Sequence, residues 1–250
     1  MIFIILPAYN EEKHVSSLLQ MIDLSLKEYS HEYKAILVDD GSTDDTVKIA
    51  RSFGGLMPVA VISHDKNMGL GEAIKTGLVH VVQAAVDNDV IITMDADNTH
   101  AAGLIMRLNR NIWEGCDVVI ASRYVKGAQV IGVPLSRGFL SLGANILLRV
   151  LFHIRGIRDY TCGYRAYRVS LLKKAFEKYG DIFVSESGFC CQIDILLKLR
   201  AFQPVISEVP IILRYDHRKA ISKMNVKQTI KDTLKLISKQ FFKTSHHSDQ

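Results

Sequence analysis

Short apolar runs alternate with amphipathic segments along the first half of the chain. The runs that predict β-strands lie at 2–6, 35–39, 58–63, 90–94 and 117–121. The segments whose apolar spacing predicts helices lie near 11–28, 44–53, 71–86 and 101–114. Strands and helices that alternate at this spacing are typical of βαβ units around a mostly parallel sheet. We therefore predict an α/β fold with a central sheet flanked by helices.

The second half is less regular. An apolar segment at 139–154 is followed by a polar loop, a predicted helix near 189–201 and a predicted strand near 204–214. A last helix is predicted over 226–243, and residues 244–250 are predicted to be disordered.

The predicted last helix is amphipathic and basic. Its lysines recur every four residues beside an apolar stripe made of Val226, Ile230, Leu234, Ile237 and Phe241. Such a helix can lie on an anionic membrane surface. Alternatively, the stripe packs on the domain and the lysines only face water, and the sequence leaves both interpretations open.

Length and composition limit the class of protein. A chain of 250 residues with 48% hydrophobic residues can bury one sizeable core. The four cysteines form no CxxC pair, and the first residues enter a strand without a signal-peptide pattern, which favours the cytosol. No apolar run reaches the length of about 18 residues that a spanning helix needs. We expect a cytoplasmic protein, peripheral on the cytosolic face of a membrane, with no nucleic-acid partner.

Acidic residues end three of the predicted strands, and the stretch Asp95-Ala96-Asp97 is the most informative. In an extended chain, residues two apart point the same way, so both carboxylates can face one hard cation. Oxygen ligands suit Mg²⁺ or Mn²⁺, which complete their shell with water and substrate phosphates. The alternative is that both residues only form a turn and a helix N-cap.

Other metal and cofactor motifs fit less well. An EF-hand would need Gly at His100 and Glu at Met106, and no His/Cys cluster has the spacing of a zinc site. The stretch NMGLGEAIKTG (67–77) has glycines at a helix start, where backbone N–H groups can meet an anion, or where a tight turn alone requires them. Ile74 replaces the third glycine of a dinucleotide fingerprint, which argues against a dinucleotide-dependent oxidoreductase.

Arginine is concentrated between residues 137 and 168. Six arginines share this span with a single acid, Asp159. Because the guanidinium group forms a planar, permanently charged fork, this excess favours an anionic, phosphate-bearing ligand. Ordinary surface salt bridging is the alternative.

Several motifs, in this order, resemble one enzyme family. They are ILPAYNEE, LVDDGSTDDT, NMGLGEA, MDADNTH and ASRY, followed by PLSRGFLSLGAN, DYTCGYRAYR, GFCCQIDIL and HRKAISKMN. The chain resembles family 2 glycosyltransferases, in particular the branch of dolichyl-phosphate mannose synthases and bacterial polyprenyl-phosphate glycosyltransferases. The resemblance implies a GT-A fold, with a Rossmann-like, mostly parallel sheet, over residues 1–225. A nucleotide-sugar half would span 1–124 and an acceptor half 125–225.

The resemblance also implies roles for individual residues. The nucleotide pocket would be lined by Pro7, Ala8, Tyr9, Glu11, Asp39 and Asp40, the last supporting its loop. The catalytic group would be Asp95, Asp97 and Arg123, with the cation held by Asp95, Asp97 and Thr99, although relatives often have another oxygen ligand at Thr99. The acceptor phosphate would be bound by Arg137, Arg165, Gln192, Arg218 and Lys223.

The expected activity is that of an inverting, metal-dependent hexosyltransferase. It would move a sugar from GDP-mannose or a UDP-hexose to a polyprenyl or dolichyl phosphate at an anionic membrane surface. One rival is a family 2 enzyme that glycosylates a sugar hydroxyl in polysaccharide synthesis, which would need a general base such as Glu186. The other is a non-catalytic nucleotide-sugar-binding module.

Overall fold

The computed structural model describes residues 1–132, 135–214 and 226–245, with side chains at all of these except 135–140, 226–227 and 240–245. Its strands are β1 (Ile2–Ala8), β2 (Tyr33–Asp39), β3 (Val59–Ser63), β4 (Val90–Thr93), β5 (Val118–Ser122), β6 (Gln129–Ile131), β7 (Arg165–Arg168), β8 (Ile206–Pro210) and β9 (Ile212–Arg214). Its α-helices are α1 (Val15–Lys27), α2 (Thr46–Ser52), α3 (Leu70–Ala84), α4 (Leu104–Trp113), α5 (Leu135–Phe152), α6 (Val169–Tyr179), α7 (Cys190–Leu199) and α8 (Val226–Ser245).

Seven of the described strands form one sheet in the order β3-β2-β1-β4-β7-β5-β8. All neighbours in it are parallel except β7, which runs antiparallel to both β4 and β5. The predicted α/β fold with a mostly parallel sheet is therefore confirmed. In the described chain, β6 and β9 form a separate parallel pair.

The middle of the sheet is buried on both faces. Ile4, Ile5 and Leu6 of β1 are fully buried, which explains why the strand is a continuous apolar run rather than an alternating one. Each such side chain contributes about 1.5–3 kcal/mol to stability through burial. Helix α3 lies very close to this strand, because a Cβ at Gly77 would be only 2.5 Å from Cγ2 of Ile5.

The sequence pattern missed part of the second half. Strand β7 and helix α6 were not predicted. The predicted strand at 204–214 is divided at Ile211 into two strands, β8 and β9. The β7 sequence, RAYR, does not resemble a buried strand, yet Arg165 in it is fully buried.

The apolar stripe predicted for the last helix is not one continuous contact face. Helix α8 packs against α7. Its Leu236 and Ile237 are buried, whereas Ile230 and Leu234 are 45% and 54% exposed. Two other members of the stripe have side chains outside the described part: Val226 and Phe241. Among the side chains described in α8, that of Leu236, which is not in the stripe, is the most buried. The helix therefore packs on the domain and still presents apolar side chains to solvent.

Helix α8 also extends to Ser245, beyond its predicted end, whereas residues 246–250 lie outside the described chain. Of the helices that the structure describes, none combines the length and the apolar character needed to cross a bilayer.

Candidate active site

The carboxyl ends of β1, β2 and β4 meet at one edge of the sheet, because these strands are parallel neighbours. The loops that follow β1 and β2 are hydrogen-bonded to each other. The main-chain N–H of Asn10 donates to Oγ of Ser42 at 2.8 Å, and that of Thr43 donates to Oδ1 of Asn10 at 2.8 Å. Asn10 has a φ of 52°, a left-handed conformation that Asn tolerates better than most residues. These bonds fix the loop that follows Pro7 and Ala8, the last residues of β1, and that begins with Tyr9.

Asp40 holds the glycine-rich loop in place. Its two carboxylate oxygens accept the main-chain N–H groups of Met68 and Gly69, each at 2.8 Å, and Oδ1 lies 2.9 Å from Nδ1 of His64. Gly69 has a φ of 92°, which only glycine adopts without strain. Two of the N–H groups that the sequence suggested for an external anion are thus bound by a carboxylate of the protein itself.

Two other acids of the expected nucleotide pocket are almost fully buried. Glu11 is 8% exposed, its N–H donates to Oγ1 of Thr46, and its carboxylate lies 2.8 Å from Nδ1 of His14. Asp39 is 2% exposed and accepts the main-chain N–H of Ser42 with both oxygens at 3.3 Å. Pro7 and Tyr9 of the first loop are partly exposed, so a ligand can reach this part of the edge.

The turn after β4 carries Asp95 and Asp97. The side chain of Asp95 is 35% exposed, whereas Asp97 is 9% exposed. Oδ1 of Asp97 accepts the main-chain N–H of Thr99 at 3.1 Å and its hydroxyl at 2.6 Å, and Asn98 between them has a φ of 60°. Thr99 is buried and its hydroxyl donates to Asp97, so Thr99 orients that carboxylate. Its role as a metal ligand stays a prediction.

The donor atoms at this turn fit a hard divalent cation. Nowhere in the described chain do three or more His, Cys, Asp or Glu side chains form a metal-binding group. Asp95 and Asp97 are the two carboxylates that this turn could offer to a cation. Mg²⁺ and Mn²⁺ suit such a site, because they take their remaining ligands from water and substrate phosphates.

Arg123, at the end of β5, forms a buried ion pair. Its Nε and Nη2 donate to the two carboxylate oxygens of Asp159 at 2.8 and 2.7 Å, and Nη2 also donates to Oγ1 of Thr161. Burial alone would raise the pKa of Asp159, but the charge and hydrogen bonds of Arg123 outweigh it and hold that pKa below its usual range. Because Nε and Nη2 already donate to Asp159 and Thr161, any contact of this guanidinium with a phosphate would have to use Nη1.

Arg165 does not lie where a phosphate ligand must lie. Its side chain is fully buried, with Nη1 and Nη2 donating to the main-chain carbonyls of Gln192 and Tyr160 at 2.7 and 2.8 Å. A guanidinium sealed in the core cannot contact an acceptor in this conformation. The expectation of direct phosphate binding by Arg165 therefore disagrees with the structure. Arg165 instead connects α7 to the loop before β7 through these two hydrogen bonds.

Gln192, in the first turn of α7, is also buried. A Cβ at Gly163 would lie 3.2 Å from Nε2 of Gln192 and 3.7 Å from Oδ1 of Asp95, so the amide and the carboxylate flank the same glycine. This places Gln192 near the Asp95 turn. Two expected acceptor ligands, Arg218 and Lys223, lie outside the described residues. A third, Arg137, lies in α5, where only the backbone is described.

Glu186, the candidate base of the rival interpretation, is paired with the last helix. Its carboxylate accepts a hydrogen bond from Nζ of Lys239 at 2.7 Å, and its side chain is 18% exposed. Its main-chain carbonyl faces the first turn of α3, where a Cβ at Gly71 would be 2.3 Å away. No sequence pattern predicts this pairing, since 53 residues separate the two partners.

Comparisons with known proteins agree with this geometry. The sequence profile of Glycosyl transferase family 2 matches residues 3–176. Dolichol-phosphate mannosyltransferase of Pyrococcus furiosus is 33% identical over 196 residues, which cover 78% of this chain and 52% of that protein. Polyprenol monophosphomannose synthase of Mycolicibacterium smegmatis is 33% identical over 225 residues, 89% of this chain and 80% of that protein. The chain thus spans about half the length of the first relative.

A solved structure shares the fold. It is glucosyl-3-phosphoglycerate synthase from Mycobacterium tuberculosis in complex with Mn²⁺, uridine-diphosphate and phosphoglyceric acid. It superposes with a TM-score of 0.65 at 20% identity and covers 95% of this chain and 76% of that chain. The fold is the GT-A arrangement that the resemblance implied.

Proposed function

Because this chain belongs to glycosyl transferase family 2, we propose that it transfers a sugar from a nucleotide-sugar donor to a polyprenyl or dolichyl phosphate. The observation that carries the proposal is the single sheet edge at which the loops of β1 and β2 meet the Asp95–Asp97 turn. The names of the two relatives support the choice of acceptor. GDP-mannose and UDP-hexoses are the candidate donors.

The donor would lie along this edge. Its nucleoside would contact Pro7, Ala8, Tyr9, Glu11 and Asp39, at the ends of β1 and β2 and in the loop after β1. Asp40 would support this pocket by holding the neighbouring glycine-rich loop. Its diphosphate would face Asp95 and Asp97, which would hold Mg²⁺ or Mn²⁺. When bound, such a cation neutralises the charge that develops on the departing diphosphate.

The acceptor phosphate would attack the anomeric carbon from the opposite side. A bond forms between a phosphate oxygen and that carbon while the bond to the nucleoside diphosphate breaks, so the configuration inverts. Because the phosphate is already an oxyanion at neutral pH, the reaction needs no strong general base. This agrees with the engagement of Glu186 by Lys239. Arg137, Arg218 and Lys223 are the cations that would steer the acceptor, and Arg123 would act through Nη1 or by holding Asp159.

We further propose that the enzyme takes its acceptor from an anionic membrane surface. One apolar face of α5 is exposed at Leu142, Ile146, Leu147 and Val150, the last at 73%. Ile230 and Leu234 of α8 are also exposed, beside its lysines. Apolar side chains flanked by lysines suit an interfacial helix.

Radiolabelled donors test the reaction. We expect incubation with Mn²⁺, GDP-mannose or UDP-glucose, and a polyprenyl phosphate to move label into the organic phase. Asp95→Asn should lower the rate about 100-fold or more, since it removes a negative charge that would hold the cation, and that cation stabilises the leaving group. Glu186→Gln should retain most of the rate. Label transferred to a sugar hydroxyl, together with loss of that activity in Glu186→Gln, would favour the polysaccharide enzyme, and no turnover with any donor would favour the binding module.

Vesicle sedimentation tests the membrane contact. Wild-type protein should bind vesicles that contain phosphatidylglycerol at low salt and release them at high salt. Val150→Glu should weaken this binding, whereas Leu56→Glu, an equally exposed site remote from α5 in sequence, serves as the matched control. Equal binding by both variants would contradict a contact through α5.

A further inference from the structure

His100 lies directly against the turn that carries Asp95 and Asp97. Its side chain is 5% exposed, and its Nδ1 accepts the main-chain N–H of Asp95 at 3.1 Å. Its Nε2 lies 3.8 Å from Oδ2 of the same aspartate. In a neutral ring whose Nδ1 accepts a hydrogen bond, the proton sits on Nε2. The ring therefore presents an acceptor to the main chain of Asp95 and a positive edge toward its carboxylate.

The ring of His100 is itself held in one orientation. It stacks on Tyr164, with centroids 4.9 Å apart and planes inclined by 22°. Tyr164 is fully buried and its hydroxyl donates to the carbonyl of Ala101 at 3.0 Å. Oγ1 of Thr93 donates to the carbonyl of Gly163 at 2.7 Å, so both ends of the turn are attached to the segment before β7.

The two carboxylates of the turn thus have separate supports. Thr99 binds Oδ1 of Asp97, whereas the contacts of His100 are with Asp95. We propose that His100 is a positioning residue that holds Asp95 in the orientation needed to bind a divalent cation. This inference rests on the proposed function, because it takes the cation at Asp95 and Asp97 as given. His100 is not itself a ligand in this arrangement, since its nitrogen nearest the carboxylate carries the proton.

Two substitutions separate the polar role of His100 from its packing role. His100→Phe keeps a ring to stack on Tyr164 but leaves the N–H of Asp95 without an acceptor. His100→Asn loses the ring but places an amide oxygen near the position of Nδ1. His80→Phe, at an exposed histidine of α3, is the matched control.

Mn²⁺ binding to each purified variant, followed by the electron paramagnetic resonance signal of the free ion, is the primary measurement. We expect His100→Phe to weaken Mn²⁺ binding about 10- to 100-fold, as loss of an outer-shell partner of a metal ligand does. His100→Asn should recover most of that affinity, and His80→Phe should match wild type. In turnover assays, His100→Phe should raise the Mn²⁺ concentration needed for half-maximal rate more than it lowers kcat.

Unchanged Mn²⁺ binding in a folded His100→Phe protein would overturn the inference, and so would a kcat lowered equally at all Mn²⁺ concentrations. Asp95→Asn and Asp97→Asn distinguish this failure from failure of the proposed function. If they abolish Mn²⁺ binding while His100→Phe does not, only the role of His100 is wrong. If they leave it unchanged, the cation site and the inference built on it are both wrong.

Discussion

Replacing Asp159 by Asn should show how much its buried ion pair with Arg123, the residue after β5, contributes to the stability of the fold. The carboxylate is fully buried and accepts six hydrogen bonds: three from Arg123, two from Thr161 and one from the N–H of Cys162. Asparagine keeps the shape but turns one oxygen into an NH₂ group that faces donors. The guanidinium of Arg123, whose side chain is 17% exposed, then has no counter-charge.

The expected loss of stability is large. Removing one partner of a buried ion pair destabilises a protein by about 3–5 kcal/mol, a large part of the roughly 5–15 kcal/mol of a typical domain. Thr161→Val, which removes the hydroxyl that accepts from Nη2 of Arg123, should lower the stability by only about 1 kcal/mol. Glu114→Gln, at the exposed pair with Arg110, is the control and should change stability by less than about 0.5 kcal/mol.

Urea unfolding at neutral pH and at about pH 3 measures both the size and the origin of the effect. Because the folded pKa of Asp159 is depressed, its contribution is fully present above the unfolded pKa of about 3.9 and is lost as the pH falls through the folded value. The difference between wild type and Asp159→Asn should therefore narrow in acid. A difference below about 1 kcal/mol at neutral pH, or one that widens in acid, would refute the reasoning.

Further expectations concern a glycine and the cysteines. Gly71→Ala should displace the loop before α7 and raise the KM for the donor, because its Cβ would lie 2.3 Å from a main-chain carbonyl. Gly143→Ala, which meets nothing within 4 Å, should leave KM unchanged; equal KM values for both would contradict the close approach. Burial raises the pKa of Cys162 and Cys191 to about 12, so iodoacetamide at about pH 8 should label the partly exposed Cys116 first. Early labelling of Cys162 or Cys191, read by mass spectrometry, would contradict their burial.

The first half of the fold could be predicted because burial on both faces of a parallel sheet leaves a simple signal. Each of its central strands is an uninterrupted apolar run, and the acids that follow mark where the run ends. The shared edge of β1, β2 and β4 follows from the parallel order, so the meeting of their loops was accessible from sequence. The orienting contacts of Thr99 and His100 were not, since they depend on a turn conformation at Asn98 that no pattern encodes.

The arginines show why the second half was harder. Counting nearby acids suggested that six arginines needed an external anion, but main-chain carbonyls and distant acids are also acceptors. Arg165 binds two carbonyls, and Arg168 binds those of Ile112 and Cys116 as well as the carboxylate of Asp117. A strand made of such residues has no apolar signature, so β7 was not predicted, and the same buried main-chain acceptors explain why Arg165 was expected to bind a phosphate.

The position of β7 has a consequence for the evolution and engineering of the chain. Strand β7 lies between β4 and β5 in the sheet but follows both of them in the sequence, after residue 124. A fragment ending at residue 124 would keep those two strands but lose β7 and β8, leaving β4 with an unpaired edge and β5 without a neighbouring strand. The segments before and after residue 124 are therefore not interchangeable modules. New specificity is better sought by replacing loops at the carboxyl edge than by splicing halves from different relatives.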